Sequence, residues 1–194
     1  MNRVLKIVVG CILLLFIITN VKAGRLESGF EALKSHDYFK AKATFYKLLK
    51  KDPASASYGL SVIYSRNNNP FYNLDSALFY SKKAAFSYWN CTSEKQKVKY
   101  TVYGVDTISI CRQRDVVDEK CYVFAEEKNT IIAYNYFIAQ NEGALRLGEA
   151  IANRNKLAYK NSQKVNTSSA YKVFMETYPN AIQMDDVKAR RSEE

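Results

Sequence analysis

The sequence predicts an all-α protein built as a stack of helical hairpins, and three observations carry that prediction. Punctuation is thin: 194 residues hold only three prolines and seven glycines, too few turn formers for a sheet protein. Apolar residues recur at helical spacing, as in Ala133, Tyr134 and Phe137, instead of alternating. Residues 122–154 and 159–191 align without a gap at an offset of 37, a period typical of stacked supersecondary units. With 47% hydrophobic and 25% charged residues, the chain can bury the core of one domain or one short array.

Residues 1–23 read as a signal peptide. Arg3 and Lys6 give a positive start, and 7–18 is an apolar run broken only by Gly10 and Cys11. Val21 and Ala23 stand at the −3 and −1 positions for a cut before Gly24. The run falls short of the roughly 20 residues that a membrane span needs, so no span is expected after cleavage. A rival reading takes Val8-Val9-Gly10-Cys11 as a lipoprotein box with Cys11 lipidated, although the strongest apolar run then follows the cut. Export to the periplasm or the outer membrane follows from either. The leader holds Arg3, Lys6 and Lys22 and no acid, so its loss lowers the net charge from +10 to +7. A basic surface suits an acidic protein or anionic lipid, and export sets nucleic acid aside. Lysines such as Lys50, Lys51, Lys82, Lys83 and Lys160 are scattered and read as solvated helix faces.

Two hairpins are expected over 24–88. Leu26, Gly29, Phe30 and Leu33 mark an amphipathic first helix. Tyr38, Ala41, Phe45 and Leu48 mark the second, closed by Asp52-Pro53, and Leu74, Ala77, Ser81 and Ala84 repeat that spacing. The stretch 67–72 lengthens the turn inside the second hairpin. Residues 89–120 read as an irregular helical pair: 94–103 is a polar helix with Val98 and Val102 inward, and 105–110 is taken as helix despite its β-branched content. Over 121–194 lie the two 37-residue units. Asn129-Thr130, Ala133-Tyr134, Phe137, Ala144, Ala152 and Arg154 return as Asn166-Thr167, Ala170-Tyr171, Phe174, Ala181, Ala189 and Arg191. Asn129 or Thr130, and Asn166 or Thr167, stand where an N-cap is wanted. Tyr178-Pro179-Asn180 ends one helix, and 184–191 forms the next.

The run from Tyr38 through Ala41 and Phe45 to Pro53 resembles the second helix of a tetratricopeptide (TPR) repeat. The resemblance implies a TPR-like α-α superhelix, a solenoid of helical hairpins. Ser28 and Ala32 depart from the family's usual leucine and tyrosine in the first helix. The order of segments is also similar to the helical front of exported Bacteroidota envelope proteins. Some of those carry β-propeller or OmpA-like domains, and some belong to gliding or type IX secretion machinery. With the chain ending at Glu194, no anchoring domain is expected, and cell-wall binding is not carried over.

Catalytic signatures are missing from the sequence. His36 is the only histidine and falls in the predicted turn of the first hairpin, with no second histidine or nucleophile to complete a triad or metal site. There is no glycine-rich phosphate loop and no nucleophile elbow. Asp115/Asp118 and Asp185/Asp186 read as helix-start carboxylates favoured by the helix dipole. Cys91, Cys111 and Cys121 follow the leader, enough for one bridge and one spare thiol in an oxidising compartment. Cys121 occupies the place of Ala158 in the next unit and reads as a small core residue. The 15 tyrosines suit half-buried positions between helices. No cofactor, metal or catalytic residue is expected.

Two functions remain open. One is a non-enzymatic scaffold of the cell envelope, possessing a face for a protein or peptide partner and serving in a secretion or motility assembly. The TPR resemblance places that face on the first helix of each hairpin, with Phe30, Lys34, Tyr64 and Asn67 as candidate contacts to an extended acidic or C-terminal segment. The alternative is a structural spacer with no dedicated groove. No pattern sets an oligomeric state.

Overall fold

The computed structural model of the chain describes residues 24–192, and among these it is all-helical, with ten helices and no strand. The helices are α1 (Arg25–Lys34), α2 (Tyr38–Leu48), α3 (Pro53–Ser65), α4 (Leu74–Trp89), α5 (Glu94–Val102), α6 (Thr107–Lys128), α7 (Ile131–Gln140), α8 (Leu147–Val165), α9 (Ser168–Thr177) and α10 (Met184–Ser192). The signal peptide read at 1–23, including Cys11, lies outside the described residues.

Short polar side chains start most of these helices by accepting an orphan first-turn amide. Asp37 accepts from Lys40 N at 3.0 Å, Asn73 from Ser76 N at 2.7 Å, and Ser93 from Gln96 N at 3.3 Å. Asp106 and Ser109 cap each other reciprocally. Thr130 and Thr167 cap α7 and α9 at 3.1 and 3.2 Å. Asn129 and Asn166 do a different job. Each ends the preceding helix in the left-handed region, at φ 47° and 50°, a conformation asparagine tolerates better than most residues.

The first core is organised around Phe45, which is fully buried. Its ring lies between Gly29 of α1 and Gly59 of α3. A Cβ at Gly29 would stand 2.9 Å from the ring, and one at Gly59 only 2.3 Å. Small residues continue this theme along α3, where every position but Pro53 and Tyr58 is buried. The most extensive helix pair is α3 with α4, tied by a Ser61 Oγ–H bond to the Ala77 carbonyl at 3.1 Å. From α6, Gln113 Nε2 donates to both Ser61 and Ser65 Oγ at 3.1 Å.

Beyond this core the packing changes from small residues to aromatic wedges. Tyr122 meets Phe137 edge-on at 5.7 Å, and Tyr159 meets Phe174 at 5.8 Å. Tyr134, Phe137, Tyr171 and Phe174 are all buried. Leu145 and Ile182, also 37 apart, are each 87% exposed. The two segments therefore share caps, aromatic pairs and outward residues.

The middle differs from the expectation. Val98 and Val102 point outward, at 64% and 74% exposure, and Tyr100 is the residue that α5 buries, against Ala54, Ala85, Val105 and Ile110. A tyrosine buries more apolar area than a valine, so it takes the single inward place on a short polar helix. Val105 lies in the turn, and α6 begins at Thr107. This helix is continuous for 22 residues and runs through the expected boundary at 120–121. Asp115 and Asp118 consequently sit inside α6, not at a helix start. Asp185 and Asp186 do occupy the first turn of α10.

The glycine contacts yield a paired prediction. Gly59→Ala should cost about 1–3 kcal/mol by forcing Phe45 to shift. Gly148→Ala, at the start of α8 with open space around it, should be neutral or slightly stabilising. Thermal melts followed by circular dichroism separate the two.

Candidate functional site

The four residues expected to form a binding face are held by different parts of the fold. Phe30 packs edge-on to Phe45 at 5.0 Å and stacks on Tyr103 at 5.7 Å. Tyr64 is buried: its ring stacks on Tyr80 at 5.7 Å, and its hydroxyl shares a 2.7 Å hydrogen bond with Tyr46. Lys34, at the end of α1, and Asn67, in the turn after α3, are exposed. Phe30 and Tyr64 thus serve interhelical packing, and the four do not line one cavity.

Exposed apolar residues are spread over α2, α4, α5, α6, α7 and the loops at Leu145 and Ile182. Phe39 of α2, Phe79 and Phe86 of α4, and Phe124 of α6 are between 49% and 69% exposed. On α2 the side chain of Lys42 bends over the Phe71 ring, its Nζ 3.9 Å from the centroid, and lies 5.6 Å from that of Tyr64. Burial and the Tyr46 hydroxyl push the Tyr80 phenol up to about 12, and Tyr64 moves in the same direction for the same causes.

The best-formed site is a groove of about 490 Å³ where the start of α4, the end of α6 and α7 meet. Tyr72, Leu74, Phe124, Ile132 and Tyr136 form its walls, and Cys121 and Asn141 lie deeper. Tyr136 closes one side by donating its hydroxyl to Asp75 Oδ1 at 2.8 Å, and that bond holds its phenol above the ordinary value. Asn141 is the C-cap of α7 and is 1% exposed. Its Nδ2 donates to the Phe137 carbonyl at 2.9 Å, while its Oδ1 has no partner. An unsatisfied buried acceptor costs about 1–3 kcal/mol unless a donor reaches it. A groove with apolar walls is suited to a segment that brings apolar side chains to fill it.

Around Cys121 lies a small polar cluster, whose Asp118 lines a second cleft. Lys82 of α4 donates its ammonium to the Gln140 carbonyl at the end of α7. Asp118 is 5% exposed, meets Arg114 Nε at 3.3 Å, and leaves Oδ1 without a partner. Burial raises its carboxyl above the ordinary value, against the opposing pull of Arg114 and Lys82. Burial also pushes the Cys121 thiol up to about 12, with Asp118 and Asp75 adding to the effect. A thiol so protonated is a poor nucleophile. Cys91, Cys111 and Cys121 are all unpaired, and no group of three or more His, Cys, Asp or Glu among the described residues is placed to hold a metal ion.

Another cleft, of about 530 Å³, opens between α6 and the loop before α8. Charged residues line it: Arg146 pairs with Glu119 at 3.1 Å and with Glu149 at 2.6 Å, while Arg112, Asp115 and Lys120 form no ion pair among the described residues. The groove beside α4 and α7 differs in having mainly apolar walls.

Comparison of the chain with protein-family models, with curated proteins and with solved structures gives no match.

Asp118 gives the cluster a pH signature. Because its folded-state pKa lies above the ordinary 3.8, the folded protein holds that proton more tightly than the unfolded chain. Asp118 therefore favours folding most at acid pH, and its contribution falls as pH rises through the window above 3.8. Asp118→Asn should lose this slope: its melting temperature relative to wild type should climb from pH 4 to pH 7. A constant difference across that range would sink the assignment.

Proposed function

We propose that this chain is a non-enzymatic helical-repeat scaffold that holds an extended segment of a protein partner in the groove between α4, α6 and α7. The observation that carries the reading is the groove itself, with apolar walls drawn from three helices. An extended peptide presents alternating side chains that can fill such walls. The basic balance of the chain makes an acidic segment the better electrostatic fit.

The architecture behind this reading is a TPR-like solenoid. It is supported by the packing of successive helices from α1 to α4 and from α6 to α10, and by the shared caps and aromatic pairs of the two segments 37 residues apart. The leader-like residues 1–23 support a place in the cell envelope of a bacterium, as part of an assembly such as secretion or motility machinery. Among the described residues no helix is long and apolar enough to cross a membrane.

Two measurements test these points. Intact-mass analysis of the protein from its native envelope should give a chain beginning at Gly24. A lipidated species beginning at Cys11 would establish the rival form, and an uncut chain would remove the export reading. For the groove, a photocrosslinker at Ile132 should trap one defined envelope protein. Ile132→Asp with Tyr136→Ala should weaken its binding about 10- to 100-fold, as loss of central anchors does, while Lys34→Ala should leave it unchanged. Absence of any defined adduct, with binding indifferent to all three substitutions, would favour the spacer.

A further inference from the structure

A separate cavity of about 330 Å³ lies among α1, α2 and α5 and shares no lining residue with the groove. Arg25 at the start of α1, Lys47 at the end of α2, Lys51 in the turn after it, and Lys99 of α5 surround it, over a floor made by Leu26 and Leu48. These residues come from three distant stretches of sequence, so lysines that look scattered along the chain are gathered by folding.

The balance of charge around the cavity is uneven. Asp52 is the one carboxylate in the lining, and it is 1% exposed. Lys99 Nζ and Gln96 Nε2 both donate to its Oδ1, at 2.6 and 2.7 Å, so its charge is neutralised inside the protein. Arg25, Lys47 and Lys51 form no ion pair among the described residues. Glu27 of the same helix turns its carboxylate to the Gly24 N–H at 3.1 Å.

Helix polarity explains part of this arrangement. Lys47 stands in the last turn of α2, where a cation is favoured, and Lys51 in the turn that follows it. Arg25 stands in the first turn of α1, the end where a cation is disfavoured, with Glu27 in the same turn. Three cations without an ion pair among the described residues, gathered around one hollow, are a charge arrangement that a bound anion would relieve.

We propose that this cavity binds a phosphate group, borne by an anionic lipid headgroup or by a small free phosphate. The separated cations can each meet one oxygen of a tetrahedral anion, and the guanidinium of Arg25 can take two. Leu26 and Leu48 provide apolar contact for whatever carbon skeleton carries the phosphate. The assignment does not depend on the groove or on its partner.

The test uses two probes and two variants of the purified protein. Pyrophosphate binding is followed by calorimetry, and vesicle binding by co-sedimentation with phosphatidylcholine alone or mixed with phosphatidylglycerol. Lys47→Gln/Lys51→Gln removes two cavity cations. Lys156→Gln/Lys160→Gln removes the same charge from α8. Both pairs are exposed, and circular dichroism melts verify that each variant folds. The cavity variant should lose about tenfold or more in affinity for at least one probe, and the α8 variant should stay within about twofold of wild type. Binding of pyrophosphate alone assigns the site to a small phosphate, and binding of the phosphatidylglycerol vesicles assigns it to a headgroup. Binding of neither probe, or equal weakening in both variants, overturns the proposal.

Discussion

The Phe45 ring can occupy its place only because Gly29 and Gly59 flank it without side chains, and the N-terminal half is arranged around that fit. The ring sets the spacing of α1, α2 and α3. It brings α3 deep enough that its serines and alanines face neighbours on nearly every side. That burial in turn lets α4 approach closely and gives α6 a surface to lie on through Gln113. A phenylalanine supplies much buried area, and a glycine supplies proximity of backbones. Neither achieves this packing alone.

The C-terminal half solves the same stacking problem by other means. Tyr122 with Phe137, and Tyr159 with Phe174, wedge between helices edge-on, and the tyrosine rings keep polar tips in reach of partners. Tyr122 accepts from Asn153 Nδ2 at 3.2 Å and lies beneath the Arg146 guanidinium, 4.1 Å from its centre. The left-handed asparagines before Thr130 and Thr167 let the chain reverse with almost no loop.

Much of the fold was legible because its signals are local. The stripe from Tyr38 to Leu48 lies within one helix, and the caps at Thr130 and Thr167 are read within four residues of the amides they serve. Asn129 and Thr130 could not be told apart as caps from sequence, because one closes a helix and the other opens the next. The inward side of α5 was misread since hydrophobicity ranked Val98 and Val102 above Tyr100, while size decided the burial. The groove and the basic cavity gave no local signal at all. Tyr72, Cys121, Ile132 and Asn141 meet only after α4, α6 and α7 have packed, and Arg25 meets Lys99 only across α1 and α5. Periodicity reports which face of a helix is buried, and it is silent on which helices become neighbours.

One consequence follows from the length of α6. At about 1.5 Å per residue its 22 residues make a rod roughly 33 Å long. Its first half is embedded against α3 and α4, and its second half carries α7. No glycine or proline interrupts it, so there is no hinge between the two styles of packing. Force applied at α7 would therefore pass along one continuous helix toward α3 and α4, with no joint on the way at which it could be relieved.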